Sequence, residues 1–196
     1  TLRKKWNAAN YSNVIKKFTN TKDDDDILKQ LSTLKNYFFN SSSTNKETHY
    51  TYYGRSKSRV FNDAIKITTR KKSRKNFIDK NLTKTPVLDS KYVYFPLADE
   101  EEANVLHYTP FHTNQIESVR HIAKSIPIDY RLYVKEHPGR GIRSWRTIED
   151  YHELLEIPNV VLIHPSVSPE SMYENCSLVV TLRGTSGLEA AFYGKP

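Results

Sequence analysis

Residues 135–140 of this 196-residue chain read Lys-Glu-His-Pro-Gly-Arg, and residues 183–187 read Arg-Gly-Thr-Ser-Gly. Cations, hydroxyls and glycines in short runs are the groups that grip an anion such as phosphate. In the first run, Lys135 and Arg140 flank His137, and Pro138 stiffens the chain behind it, giving a donor-rich corner. In the second, Gly184 and Gly187 let the backbone come close to a ligand, and Thr185 and Ser186 add hydroxyl donors. The N–H groups that open the next helix draw negative charge. Ser186 and Glu189 also fit a Ser-x-x-Glu capping box, so helix capping and anion binding explain this turn equally well at this level. His164-Pro165 repeats the His-Pro dipeptide, and a turn-forming histidine is the better account of it. The acidic run Asp99-Glu100-Glu101-Glu102 offers a base or a contact for sugar hydroxyls, against the plainer reading as a charged surface loop.

These runs sit where strands should end. "KYVYFPL", "YRLYVKEHP", "NVVLIHP" and "SLVVTLRG" are short Val/Ile/Leu- and Tyr-rich segments, and helix-like stretches separate them. In "HTNQIESVRHIAKSI", Ile116, Val119, Ala123 and Ile126 share a face, and Asn114 with Glu117 has capping-box spacing. A second helix is predicted around "WRTIEDYHELLE". In "SPESMYENC", Ser168 is the predicted cap and Pro169 the first helical residue; "SGLEAAFYG" follows the fourth strand. This βαβ alternation predicts an α/β fold with a Rossmann-like parallel sheet covered on both faces. Lys195-Pro196 is read as the start of a fifth strand. Ligands of such sheets bind beyond the carboxyl ends of the strands. The expectation is that neighbouring strands bring His137 and the Gly184–Gly187 turn to one phosphate.

The first part of the chain is of another kind. Residues 1–90 hold 20 Lys and Arg against 8 Asp and Glu, a net +12, whereas residues 91–196 carry a net −4. "ILKQLSTLKNYFF" and "RVFNDAIKITTRKKSRKNFI" are read as helices, the second basic in its latter half. The predicted division is a helical, basic, partly flexible segment over residues 1–89, a linker or remnant of an N-terminal domain, and a Rossmann-like sheet domain over 90–196, truncated at its C-terminal end. The chain is read as a piece of a longer protein. A solvated linker is the first account of the basic segment, an anionic membrane surface the second and nucleic acid the third. One cysteine excludes an internal disulfide framework. Seven histidines without zinc spacing, and an Asp23–Asp26 run without the alternation of a calcium loop, give no metal site and no cofactor. P-loop, dinucleotide and Gly-x-Ser-x-Gly spacings are all missing.

"YVYFPLADEEEA", "IAKSIPIDYRLYVKEHPG", "PNVVLIHPS" and "VVTLRGTSGLEAAFYGKP" together resemble the capsule and surface-polysaccharide biosynthesis family, which is similar to Kdo-transferase-like enzymes and bacterial sialyl- and polysialyltransferases. The resemblance covers roughly residues 90–196. It implies a GT-B architecture whose C-terminal Rossmann-like half holds a nucleotide-sugar donor, possible donors including a CMP-linked one. On that resemblance His137, Thr185 and Ser186 bind donor phosphate, with Lys135, Arg183, Gly184 and Gly187 around them, and Glu189 lies near the ribose. The acidic-acidic-Gly motif that gives related sialyltransferases their base has no counterpart here, so no catalytic residue is assigned. The implied function is a metal-independent glycosyltransferase building a cell-surface glycan on a glycan or lipid-linked acceptor, cytoplasmic or peripheral at the inner membrane face. The alternatives are a nucleotide-sugar epimerase of related fold, and a non-catalytic protein whose basic segment binds nucleic acid or membrane.

Overall fold

The computed structural model describes residues 56–98, 109–137, 145–182 and 185–196. The predicted helix at 27–39, the Asp23–Asp26 run, the acidic run at 99–102, and Arg140, Arg183 and Gly184 lie outside the described residues.

Four strands form one parallel sheet: β1 (Tyr92–Pro96), β2 (Arg131–Lys135), β3 (Val160–Ile163) and β4 (Leu178–Val179), in the order β3-β2-β1-β4. Helices α1 (Lys57–Asn81), α2 (Gln115–Ser125), α3 (Ile148–Leu155), α4 (Pro169–Asn175) and α5 (Ser186–Phe192) cover it. Strands β1, β2 and β3 lack the apolar–polar alternation of a half-exposed sheet because residues on both of their faces are buried, as expected of a covered parallel sheet; the two residues of the edge strand β4 are exposed or partly so. On β1, Val93 and Phe95 join the core layer that holds Val119, Ala123, Tyr151 and Leu154 of α2 and α3. Tyr92 and Tyr94 point the other way, into a layer with Met172 and Tyr173 of α4 and Ala190 of α5. That second layer is built on tyrosines. The Tyr92 and Tyr133 rings stack at 4.4 Å, and their hydroxyls donate to the carbonyls of Met172 at 2.8 Å and Val87 at 2.7 Å. A buried phenol needs such a partner.

Helix limits follow the caps. Asn114 accepts from the N–H groups of Ile116 and Glu117 at 3.1 and 3.3 Å, while the Glu117 carboxylate pairs with Arg120. Ser168 accepts from Glu170 N–H ahead of Pro169, as predicted. Thr147 and Asp150 close a full capping box on α3. Helix α5 departs from the sequence reading. Its N-cap is Thr185, Ser186 is its first residue, and no side chain caps it. The Ser186–Glu189 capping box is therefore not formed; Glu189 Oε1 instead accepts from the Thr185 hydroxyl at 2.7 Å. The helix ends at Gly194, whose φ of 67° suits glycine. Lys195 N–H and Gly194 N–H then donate back to Ala190 and Ala191 carbonyls. Past that turn the chain returns to β4, where Val179 N–H donates to the Pro196 carbonyl at 2.9 Å.

The packed unit takes in residues before position 90. Ile78 and Leu82 are 1% and 5% exposed in the layer with Val93 and Phe95, each contributing about 2 kcal/mol by burial. Thr83 N–H donates to the Leu162 carbonyl and His164 N–H to the Thr83 carbonyl, both at 2.9 Å, so the chain after α1 pairs with the outer edge of β3. Arg74 of α1 donates to the Trp145 carbonyl at 2.7 Å.

Candidate functional site

Between β1 and β4 the winding reverses. The connection from β1 leads to α2 on one face, and that from β4 leads to α5 on the other. Such a switch point opens a crevice at the carboxyl ends of the strands, where parallel α/β sheets hold their ligands. Described residues follow each of the four strands.

Strand β2 ends in two buried charges of opposite sign. Alternation sends Lys135 to the α4/α5 face and Glu136 to the α2/α3 face, and they are 4% and 2% exposed. A charge so placed needs compensation, and Glu136 has it in full. Its Oε2 accepts from Arg146 Nε at 3.1 Å and from the Tyr151 hydroxyl at 2.8 Å. Its Oε1 accepts the main-chain N–H of His137 at 2.8 Å. Arg146, 4% exposed, also donates to the Ala98 carbonyl at 3.3 Å. Gln115, fully buried at the start of α2, clasps the same Ala98, accepting from its N–H at 2.8 Å and donating to its carbonyl at 3.0 Å. One polar network thus joins the exits of β1 and β2. Beside the carboxylate, burial pushes the Tyr151 hydroxyl well above the ordinary phenol range.

On the other face, burial lowers the Lys135 ammonium to about 8, against the opposing pull of Glu136 and Glu189. The Glu189 carboxylate of α5 therefore lies within electrostatic reach of the end of β2. Burial raises the Tyr173 phenol, which hydrogen-bonds Ser186 and Glu189. Lys135, Tyr173, Thr185, Ser186 and Glu189 converge there. Gly187 has a packing reason as well: a Cβ on it would meet Thr181 Cγ2 of the β4 exit at 3.3 Å, tighter than ordinary contact.

His137 is exposed at the end of β2. The strand order corrects one expectation, because β2 and β4 are not neighbours. With β1 between them, their exits stand about 10 Å apart at about 4.8 Å per strand. Neighbouring strands therefore do not bring the two runs together, as the sequence reading expected.

His164, at the end of β3, is a structural latch. Its Nδ1 accepts the Ser166 N–H at 3.1 Å and lies 2.6 Å from the Ser166 hydroxyl. Nε2 therefore carries the hydrogen and donates to Asp79 of α1 at 3.1 Å. The order Ser-His-Asp resembles a nucleophile relay, yet the one Nδ1 lone pair is already shared with a main-chain N–H. Burial holds the imidazole pKa below its usual value even with Asp79 beside it. This agrees with the turn-forming reading of His164-Pro165.

Sequence reasoning missed Gln115, Arg146 and Tyr151, and passed over Glu136 although it quoted it. A signal for Glu136 existed. Adjacent Lys and Glu at the end of a strand buried on both faces must each find a partner on a different face. Nothing local marks Arg146 or Tyr151 as those partners.

A solved structure described as an S. aureus MnaA-UDP co-structure matches with 18% identity and a TM-score of 0.38, over 66% of this chain and 33% of that one. The chain thus spans about a third of that protein's length. No curated protein matches the chain. The family described as "Capsule polysaccharide biosynthesis protein" matches residues 12–196. With that match over nearly its whole length, this α/β chain belongs to the capsule polysaccharide biosynthesis protein family.

Proposed function

We propose that the chain is the donor-binding part of a nucleotide-sugar-dependent, metal-independent glycosyltransferase that acts in capsule polysaccharide synthesis. The observation that carries this reading is Lys135: a cation kept buried at the carboxyl rim of a parallel sheet, beside the first turn of α5. Glycosyl transfer from a nucleotide sugar leaves a phosphate or diphosphate, and the developing charge must be met by preorganised donors. Lys135, His137, Arg183, the Thr185 and Ser186 hydroxyls, and the main-chain N–H groups of Gly184 and Gly187 supply that field in this proposal. Glu189 takes the ribose. The acceptor is a glycan or a lipid-linked saccharide, and the base that deprotonates it lies outside the residues assigned here.

Thermal unfolding with UDP, CMP and GDP in the presence of a chelator tests the reading. A ligand at about one hundred times its Kd adds about 2.7 kcal/mol to stability. The accepted nucleotide should raise Tm by the corresponding several degrees, and a His137→Ala/Ser186→Ala double variant should lose that shift. An undiminished shift in the double variant removes these residues from the donor site.

A peripheral membrane contact is the second part of the proposal, supported by α1. That helix exposes Arg59, Lys66, Arg70, Lys72 and Lys80, and its only acids are Asp63 and Asp79. Among the described residues no helix is long and apolar enough to cross a membrane. Each basic residue near an anionic leaflet contributes about 1 kcal/mol, screened by salt. The protein should co-sediment with phosphatidylserine vesicles at low salt and not with phosphatidylcholine vesicles. Equal partitioning onto both, or tighter salt-dependent binding to DNA, overturns the membrane assignment.

A further inference from the structure

We propose that Glu136 is a positioning residue for His137, holding it through the main chain at the rim of the crevice. The proposal rests on the reading of His137 as a donor-phosphate ligand. The geometry assigns the task to one carboxylate. Oε1 of Glu136 fixes the His137 N–H at 2.8 Å, while Oε2 is itself fixed by Arg146 at 3.1 Å and Tyr151 at 2.8 Å. Tyr151 belongs to α3, and Arg146 also reaches Ala98 at the end of β1, where Gln115 of α2 is clamped. His137 is exposed, but its backbone is thereby tied to buried residues of two helices and to a neighbouring strand exit.

The arrangement is more than charge pairing. A Glu–Arg pair alone needs no bond to the next residue's N–H, and a stable strand end needs no acceptor aimed back at it. Here the carboxylate spends one oxygen on the buried pair and the other on the residue that faces the crevice. A displacement of that residue by about 1 Å is enough to cost on the order of a hundredfold in the rate of a reaction that depends on fixed geometry.

A double-mutant cycle on nucleotide affinity tests the proposal, with UDP and CMP as probes by titration calorimetry. The four proteins are the wild type, His137→Ala, Glu136→Met/Arg146→Met, which leaves no side-chain acceptor for the His137 N–H, and the three changes combined. Neutralising both members of the pair keeps the fold from carrying an unmatched buried charge. His137→Ala should cost about tenfold or more in affinity in the wild type and almost nothing in the neutralised background, because there the imidazole is already out of place. An equal cost in both backgrounds shows that Glu136 does not position His137 and leaves the donor reading standing. No cost in the wild type removes His137 from the donor site, and this inference with it. A second measurement needs no variant. The His137 amide should exchange with solvent at least about tenfold more slowly than in an unstructured peptide, and exchange at the unprotected rate overturns the hydrogen bond on which the proposal stands.

Discussion

Replacing Lys135 by methionine is expected to make the protein more stable while weakening its hold on nucleotide at least tenfold. Methionine keeps most of the aliphatic stem and removes the ammonium. The ammonium is only 4% exposed, and burial brings its pKa from 10.5 to about 8. At about 1.4 kcal/mol per pH unit, that difference corresponds to about 3 kcal/mol of destabilisation by the charged form. The gain from removing it is smaller, about 1–3 kcal/mol, because Glu136 and Glu189 also lose a favourable neighbour. The pH dependence follows from proton counting. Because the folded-state pKa lies below the unfolded one, the unfolded chain binds more protons between about 8 and 10.5. Wild-type stability therefore rises with pH across that window, and the destabilisation is fully present below it. Denaturant titrations at neutral and alkaline pH should show the Lys135→Met variant more stable near neutrality, with the difference shrinking towards pH 10.5. A variant that is less stable at neutral pH and still binds UDP as the wild type does would leave Lys135 as an ordinary structural lysine.

The strands were legible because both faces are covered, so "YVYFP", "RLYVK" and "VVLI" read as continuous apolar runs. Ser168 with Pro169, and Asn114, were legible because caps are local. The limits of local reading appear where partners come from far along the chain. Nothing near Ile78 or Leu82 shows that α1 packs on the sheet, since the helix is basic overall, and it is Ile78 and Leu82 near its end that join the sheet core. The order β3-β2-β1-β4 is a property of crossovers, so the distance between His137 and the α5 turn could not be read from the spacing of residues. The Ser-x-x-Glu pattern at Ser186 misled for a different reason. The helix begins one residue earlier than that box requires, and Thr185 takes the carboxylate instead.

Arg146→Met is expected to have the opposite effect from Lys135→Met, although the charges concerned meet neighbouring residues of the same strand end. Arg146 is 4% exposed, and its Nε donates to Glu136, itself 2% exposed. Without the guanidinium, the carboxylate keeps the Tyr151 hydroxyl and the His137 N–H but loses its counter-charge. Removing one member of a buried pair costs about 3–5 kcal/mol, a large share of the stability of a domain this size. The Ala98 carbonyl loses a donor as well, so the β1 exit should loosen with the β2 exit. The loss should appear in urea as a lower midpoint with an unchanged slope. Glu136→Gln added to Arg146→Met should recover part of the loss at neutral pH, since two neutral groups are left in place of one unmatched charge. A loss below about 1 kcal/mol in the single variant would put Arg146 in the class of exposed ion pairs, contrary to its burial. The contrast between the two variants separates the two faces of β2. On the α2/α3 face Glu136 and Arg146 form a buried ion pair, and on the α4/α5 face burial disfavours the charged form of Lys135.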